Sequence, residues 1–156
     1  MKTEALQGSK LHWPAEWEQQ EAVWLSWPHR DDLWQGGLAE LHGHYADLAA
    51  LIAPHAQVRI NAAENMHSGI RRLLQARNVE NFALYNHATN DVWCRDHGGI
   101  FVRRNDGGMQ VADWTFNAWG GKFAPLESGQ RNPHPHGRIV GSAALEQPYH
   151  LGGRCH

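Results

Sequence analysis

Ala22-Val23-Trp24-Leu25-Ser26-Trp27 is a short, nearly continuous apolar run stopped by Pro28, and it reads as a buried strand. Beyond the turn-rich Asp31-Asp32 and Gly36-Gly37 stretch, Leu38, Leu41, Tyr45, Leu48, Leu51 and Ile52 recur at helical spacing until Pro54. An amphipathic helix is expected there. Gln57-Val58-Arg59-Ile60-Asn61 then alternates polar and apolar residues as a strand does. Ile70, Leu73 and Leu74 mark a second helix, and Phe82-Ala83-Leu84-Tyr85 another short strand. Gly99 to Arg103 and Met109 to Phe116 flank Asn105-Asp106-Gly107-Gly108, whose glycines supply the positive φ of a tight turn, so a β-hairpin is expected. The order is strand, helix, strand, helix, strand, hairpin. That predicts an α/β fold whose strands do not all pair in parallel.

Composition narrows this picture only a little. With 156 residues, 42% of them hydrophobic, the chain can bury a core of its own. A formal net charge of -2 gives no reason to expect nucleic acid or an anionic membrane as partner. No apolar run is long enough to span a bilayer, and Met1-Lys2-Thr3-Glu4-Ala5 lacks the apolar core of a signal peptide, which makes the cytoplasm the expected compartment. Cys94 and Cys155 could form a single disulfide and show no metal-type spacing. Eight tryptophans suit flat cationic ligands as well as cores.

Two stretches carry the chemistry. Asn90-Asp91-Val92-Trp93-Cys94-Arg95-Asp96-His97-Gly98-Gly99 places an acid after Trp-x-Arg at the mouth of an apolar strand, where a site for a cationic substrate would be built. Ala112-Asp113-Trp114-Thr115-Phe116-Asn117-Ala118-Trp119-Gly120-Gly121 concentrates tryptophan, an acid, an amide and glycines one hairpin later. Asp96 is the leading candidate, ahead of Trp93, Asp113, Asn117 and Trp119, each of which also has a packing or turn reading. Cys94 reads as a small buried residue: on an extended strand, neighbouring side chains point to opposite faces, so Cys94 and His97 would not meet as nucleophile and base. Glu16 and Glu21 read as surface or capping groups.

Pro14-Ala15-Glu16-Trp17-Glu18, with Gln20 to Pro28, the Asn90 to Val102 stretch and the Ala112 to Lys122 stretch resemble agmatine deiminases and the related bacterial peptidylarginine deiminases. The likeness is dense from about Trp13 to about Phe123. It implies a pentein fold, a five-bladed α/β propeller of ββαβ modules, of which this chain would be the N-terminal part. It also implies hydrolysis of a guanidinium, for agmatine giving N-carbamoylputrescine and ammonia in putrescine synthesis, with no metal or organic cofactor. Asp96 would then be a catalytic residue gripping the guanidinium while a thiolate attacks its central carbon and a histidine moves protons. The family's His-x-Asp-type pair and late nucleophilic cysteine have no counterpart here, so the expectation is a truncated chain without turnover. Two alternatives stand beside this: peptidylarginine deimination, and a non-catalytic module that holds a cationic ligand.

The tail differs in kind. His134, His136, His150, Cys155 and His156 are scattered without a compact ligand spacing, and the helical and strand periods vanish after Phe123. The codons permitted for Gly129 to Val140, read one base forward, allow Asp-Asn-Ala-Ile-Pro-Thr-Arg-Met-Ala-Glu-Leu-Leu. Those for Pro148 to His156 allow Pro-Ile-Ile-Leu-Glu-Gly-Gly-Ala-Ile, and both peptides resemble what the family carries beyond Trp-Gly-Gly-Lys. The expected organisation is thus a deiminase segment over 1–128 and an out-of-frame tail over 129–156.

Overall fold

The computed structural model describes residues 11–87, 89–113, 118–122 and 138–141, the last by their backbone. The chain divides into two compact units, one formed by 19–96 and the other by 1–18 together with 97–156.

The first of these units is a three-stranded parallel sheet crossed by helices. Strands β2 (Ala22–Ser26), β3 (Gln57–Ala62) and β4 (Phe82–Asn86) lie in the order β2-β3-β4. Trp24 is registered on Arg59 and Leu25 on Ile60, and Ile60 in turn on Leu84. Parallel neighbours need a crossover, and the two connections supply one helix each: α2 (Leu38–Ile52) after the single turn α1 (Asp31–Trp34), and α3 (His67–Gln75) after a 3-10 turn at Glu64–Met66. The central strand therefore has a partner on both sides. Val58, Ile60 and Ala62 of β3 are buried among Ala46 and Ala49 of α2, Ile70 and Leu74 of α3, Trp27 and Val79.

The expected strands and helices of this unit are present, but α2 buries a different stripe from the one its leucines suggested. Ala46 and Ala49 are fully buried, with Tyr45, Ile52 and Ala53 packed against the same cluster, whereas Leu51 is 73% exposed and Leu48 41%. Methyl side chains let the helix axis approach the sheet closely, so the positions of least bulk face inward. Of the expected stripe, Tyr45 and Ile52 pack on this core, while Leu48 and Leu51 are turned away from it.

In the second unit, β1 (Leu11–His12), β5 (Ile100–Arg104), β6 (Met109–Asp113) and β7 (Arg138–Gly141) form an antiparallel sheet in the order β1-β5-β6-β7. β5 and β6 are the expected hairpin. Gly107, at φ 84, takes the left-handed position that a side chain would resist, and Arg104 N–H donates to Gly108 O at 2.8 Å. The other turn glycine, Gly108, does not need positive φ, so only half of the expected glycine signal is used. Asp106 reinforces the turn by accepting from Gly108 N–H at 3.0 Å and by pairing with Arg104.

The segment 94–97 corrects the sequence reading. It is a short helical turn, α4 (Cys94–His97), and not an extended strand entering β5. The division between the units falls within it.

Candidate functional site

Because β2, β3 and β4 run the same way, their carboxyl ends lie along one edge of the sheet, where an open parallel sheet holds its ligands. The residues that end these strands are polar within otherwise apolar segments. Ser26 ends β2, Asn61 lies one residue from the end of β3, and Asn86-His87 close β4. Ser26 is 0% exposed and Asn61 3%. Both are satisfied by partners from the connection that follows β4. Ser26 Oγ lies 3.0 Å from Cys94 Sγ, and Asn61 Oδ1 is 3.0 Å from His87 Nδ1, which donates to it. Asn61 O also accepts from Trp27 N–H at 2.9 Å. Glu64 N–H donates to Asn86 Oδ1 at 3.2 Å, adding a further tie along this edge.

Histidines brace the same region. His42 contacts Pro28 O through Nε2 at 2.8 Å, with its ring 5.3 Å from that of Trp27, and His67 Nε2 lies 3.0 Å from Ala62 O. His87 stacks on Tyr85 at 5.8 Å, and Tyr85 packs on Trp24 at 4.7 Å. Arg59 lies over the Trp24 ring at 5.8 Å and pairs with Glu21 at 2.7 Å. Glu21 is thus a surface ion-pair partner, as expected. At the N-terminal turn Glu18 accepts from Ala15 N–H at 2.8 Å.

Beyond these ties the chain turns into α4, where Asp96 N–H donates to Trp93 O at 3.0 Å. Trp93, 51% exposed, and the exposed Asp96 are presented one turn apart. A carboxylate and an indole presented on one turn suit a planar cation, since an acid accepts its N–H bonds and a ring face attracts its charge.

Cys94 is half-buried and carries a free thiol. Burial pushes that thiol up from its ordinary range, and the Ser26 contact lowers it by less. A helical turn can place residues three apart on one face, so the strand argument that kept Cys94 from His97 no longer applies. What speaks against a nucleophilic role is the local chemistry, because an attacking sulfur needs a depressed pKa and this one is raised. Tyr45 is likewise pushed up to about 12, first by burial and then by the charges of Cys94 and Asp91.

The remaining expected site residues belong to the other unit. Asp113 ends β6, and Asn117 lies outside the described residues. Trp119 is half-buried within the turn Ala118–Gly121 and has φ 53, a left-handed conformation rarely held by a bulky residue. Of the expected residues, Trp93 and Asp96 lie in one unit and Asp113 and Trp119 in the other. Ser26, Asn61 and His87 escaped the sequence reading. Their signal was available: each is polar at the carboxyl end of a strand predicted from its apolar neighbours. The scattered tail residues His134, His136, His150, Cys155 and His156 lie outside the described residues.

A mixed α/β chain with a polar carboxyl-edge site, an exposed acid and an exposed indole defines a candidate binder of small cations. A sequence model of the Porphyromonas-type peptidyl-arginine deiminases matches residues 12–153. The chain belongs to that family. It is 37% identical over 111 residues to an agmatine deiminase of Pseudomonas putida F1, covering 71% of this chain and 29% of that protein. An agmatine deiminase of Stutzerimonas stutzeri A1501 is 34% identical over 113 residues, 72% of this chain and 30% of the relative. The chain thus spans less than a third of the length of these curated relatives. Among solved structures, C. jejuni agmatine deiminase with substrate bound superposes with a TM-score of 0.65 at 29% identity, over 79% of this chain and 35% of that one. The Enterococcus faecalis agmatine deiminase gives a TM-score of 0.61 at 34% identity, over 71% and 29%.

Proposed function

We propose that this chain supplies the carboxylate grip of an agmatine deiminase-type amidinohydrolase, with Asp96 accepting guanidinium N–H bonds and Trp93 covering the flat face of the group. The observation that carries the reading is the pairing of an exposed acid with an exposed indole on a single turn at the carboxyl edge of a parallel sheet. In the reaction, a thiolate adds to the guanidinium carbon and ammonia leaves. Water then hydrolyses the amidino-thioether, so that guanidinium and water become a ureido group and ammonium. A carboxylate holding two N–H groups fixes the plane of the substrate and leaves the central carbon open to attack from one face. The raised thiol of Cys94 does not suit the attacking role, and the proposal assigns it none.

Asp113, Asn117 and Trp119 are proposed as substrate-binding residues from the family resemblance of their segment, and the left-handed backbone of Trp119 supports a role beyond filling space. Agmatine is favoured over a peptidyl arginine because the relatives described above bear the name agmatine deiminase, although the family model takes its name from the peptidyl enzymes. The sheet segments belong to a five-bladed propeller in this reading, acting in the cytoplasm without cofactor. Among the described residues no helix is long and apolar enough to cross a membrane.

The proposal extends to the organisation of the chain, with 1–128 as deiminase sequence and 129–156 read out of frame. Calorimetric titration of the chain with agmatine, with an arginyl peptide as the rival ligand, tests the grip. Asp96→Asn should weaken agmatine binding by about tenfold or more, the loss of one charge-assisted contact. Equal affinity in the two proteins removes Asp96 from the site.

A further inference from the structure

The connection from β4 to α4 delivers Trp93 and Asp96, and it is fastened at two points to buried polar side chains of the neighbouring strands. At its start, His87 is held between the Tyr85 ring, 5.8 Å away, and Asn61 Oδ1, 3.0 Å away. At its end, Cys94 Sγ sits 3.0 Å from Ser26 Oγ. The anchoring residues lie on β2 and β3, and both are almost wholly withdrawn from water. Burying an amide and a hydroxyl at strand ends costs free energy unless each is satisfied, and apolar residues would serve the core better. Among the described residues, a side-chain partner for each comes from this connection. At the second anchor the backbone closes on itself, with Cys94 N–H donating to Val92 O at 2.9 Å and, just beyond, Asp96 N–H to Trp93 O at 3.0 Å.

We propose that Asn61 and Ser26 are positioning residues which, through His87 and Cys94, form a two-point clamp that fixes where Asp96 and Trp93 stand. The inference rests on the reading of Asp96 as the guanidinium grip. Neither anchor touches substrate in this scheme. The sulfur of Cys94 acts as a latch for a hydroxyl, which accounts for a cysteine directly inside the site segment that is poorly suited to attack.

The test uses the whole chain and two readouts. Amide hydrogen exchange reports the clamp, and calorimetric titration with agmatine reports its consequence for binding. His87→Ala, which removes the half-buried partner and leaves the core intact, should speed exchange at the amides of Cys94 and Asp96 by about tenfold while leaving Ile60 and Leu74 unchanged. Agmatine binding should weaken in parallel, and His87→Gln, which keeps an N–H donor, should restore both. Ser26→Ala should act on the same amides, and Ser26→Thr should recover them. Unchanged exchange at Cys94 and Asp96 in both alanine variants overturns the clamp. So does faster exchange that leaves agmatine binding intact while Asp96→Asn abolishes it, since the clamp then holds nothing the ligand needs. If Asp96→Asn binds agmatine as the parent does, the grip reading fails, and exchange alone still decides whether the two anchors fix the segment.

Discussion

At the scale of single residues, Cys94 shows how position decides chemistry. A cysteine two residues from the candidate catalytic acid invites a nucleophile, yet it is half-buried, is latched to Ser26, and has its thiol raised by burial. In a Cys155→Ser background, the pH midpoint for alkylation of Cys94 by iodoacetamide should lie above the ordinary thiol value of about 8.5. Ser26→Ala should move it higher still, because the serine contact lowers it. A midpoint below the ordinary value would mark an activated thiolate and reverse this assignment. Tyr45 follows the same physics, its phenol pushed up to about 12 by burial first. An unfolded tyrosine ionises near about 10, so between there and the folded value the unfolded state has lost a proton that the folded state retains. Stability contributed by this group is complete below the unfolded value and is lost as pH rises toward the folded one. The urea midpoint should therefore fall on raising the pH through that window, and Tyr45→Phe should flatten the fall. An equal fall in both proteins would clear Tyr45 of the effect.

Elements were legible where period and punctuation agreed. Pro28 and Pro54 bracket β2 and α2, and Asp106-Gly107 marks the hairpin turn, so these units could be placed from the sequence. Orientation was harder to read than existence. The buried face of α2 is set by Ala46 and Ala49, residues of weak hydrophobic signal whose value lies in their small size. Ala49→Leu should overpack the helix against its neighbours and cost about 1–3 kcal/mol in urea unfolding. Leu51→Ala, on the exposed side, should stay within about 0.5 kcal/mol. A loss of core size from Leu51→Ala would show that the leucine stripe faces inward after all. The α4 turn was misread for a different reason. Trp93 to His97 carries no helical period, and four residues are too few to show one; the turn is held by the local Asp96-to-Trp93 bond and by Ser26, which is distant in sequence.

Across the whole molecule, the site was legible in part because Asp96 and Trp93 are neighbours in the chain. Its supports were not, since Ser26–Cys94 and Asn61–His87 join residues 68 and 26 positions apart. The tail raises the reverse problem, a local pattern without a physical period. There the backbone of β7 pairs with β6, Val140 on Val111 and Gly141 on Gln110. Strand pairing is made by main-chain groups common to nearly every residue, so an exposed sheet edge can accept a segment read in either frame. The pairing of β7 is thus compatible with the proposed change of frame near Ser128, whereas the family match, which runs to residue 153 in the frame as given, weighs against it. Two separated segments have codons that permit family-like peptides under the same one-base step, and that is what supports the proposed frame. Sequencing the coding DNA across the Ser128 codon decides the matter. Removing one base there, or supplying two, should open a frame that encodes Asp-Asn-Ala-Ile-Pro-Thr-Arg-Met-Ala-Glu-Leu-Leu and continues to a histidine and a late cysteine. A shifted frame that meets an early stop, or lacks those peptides, would make the histidine-rich tail native sequence and return its imidazoles to consideration as ligands.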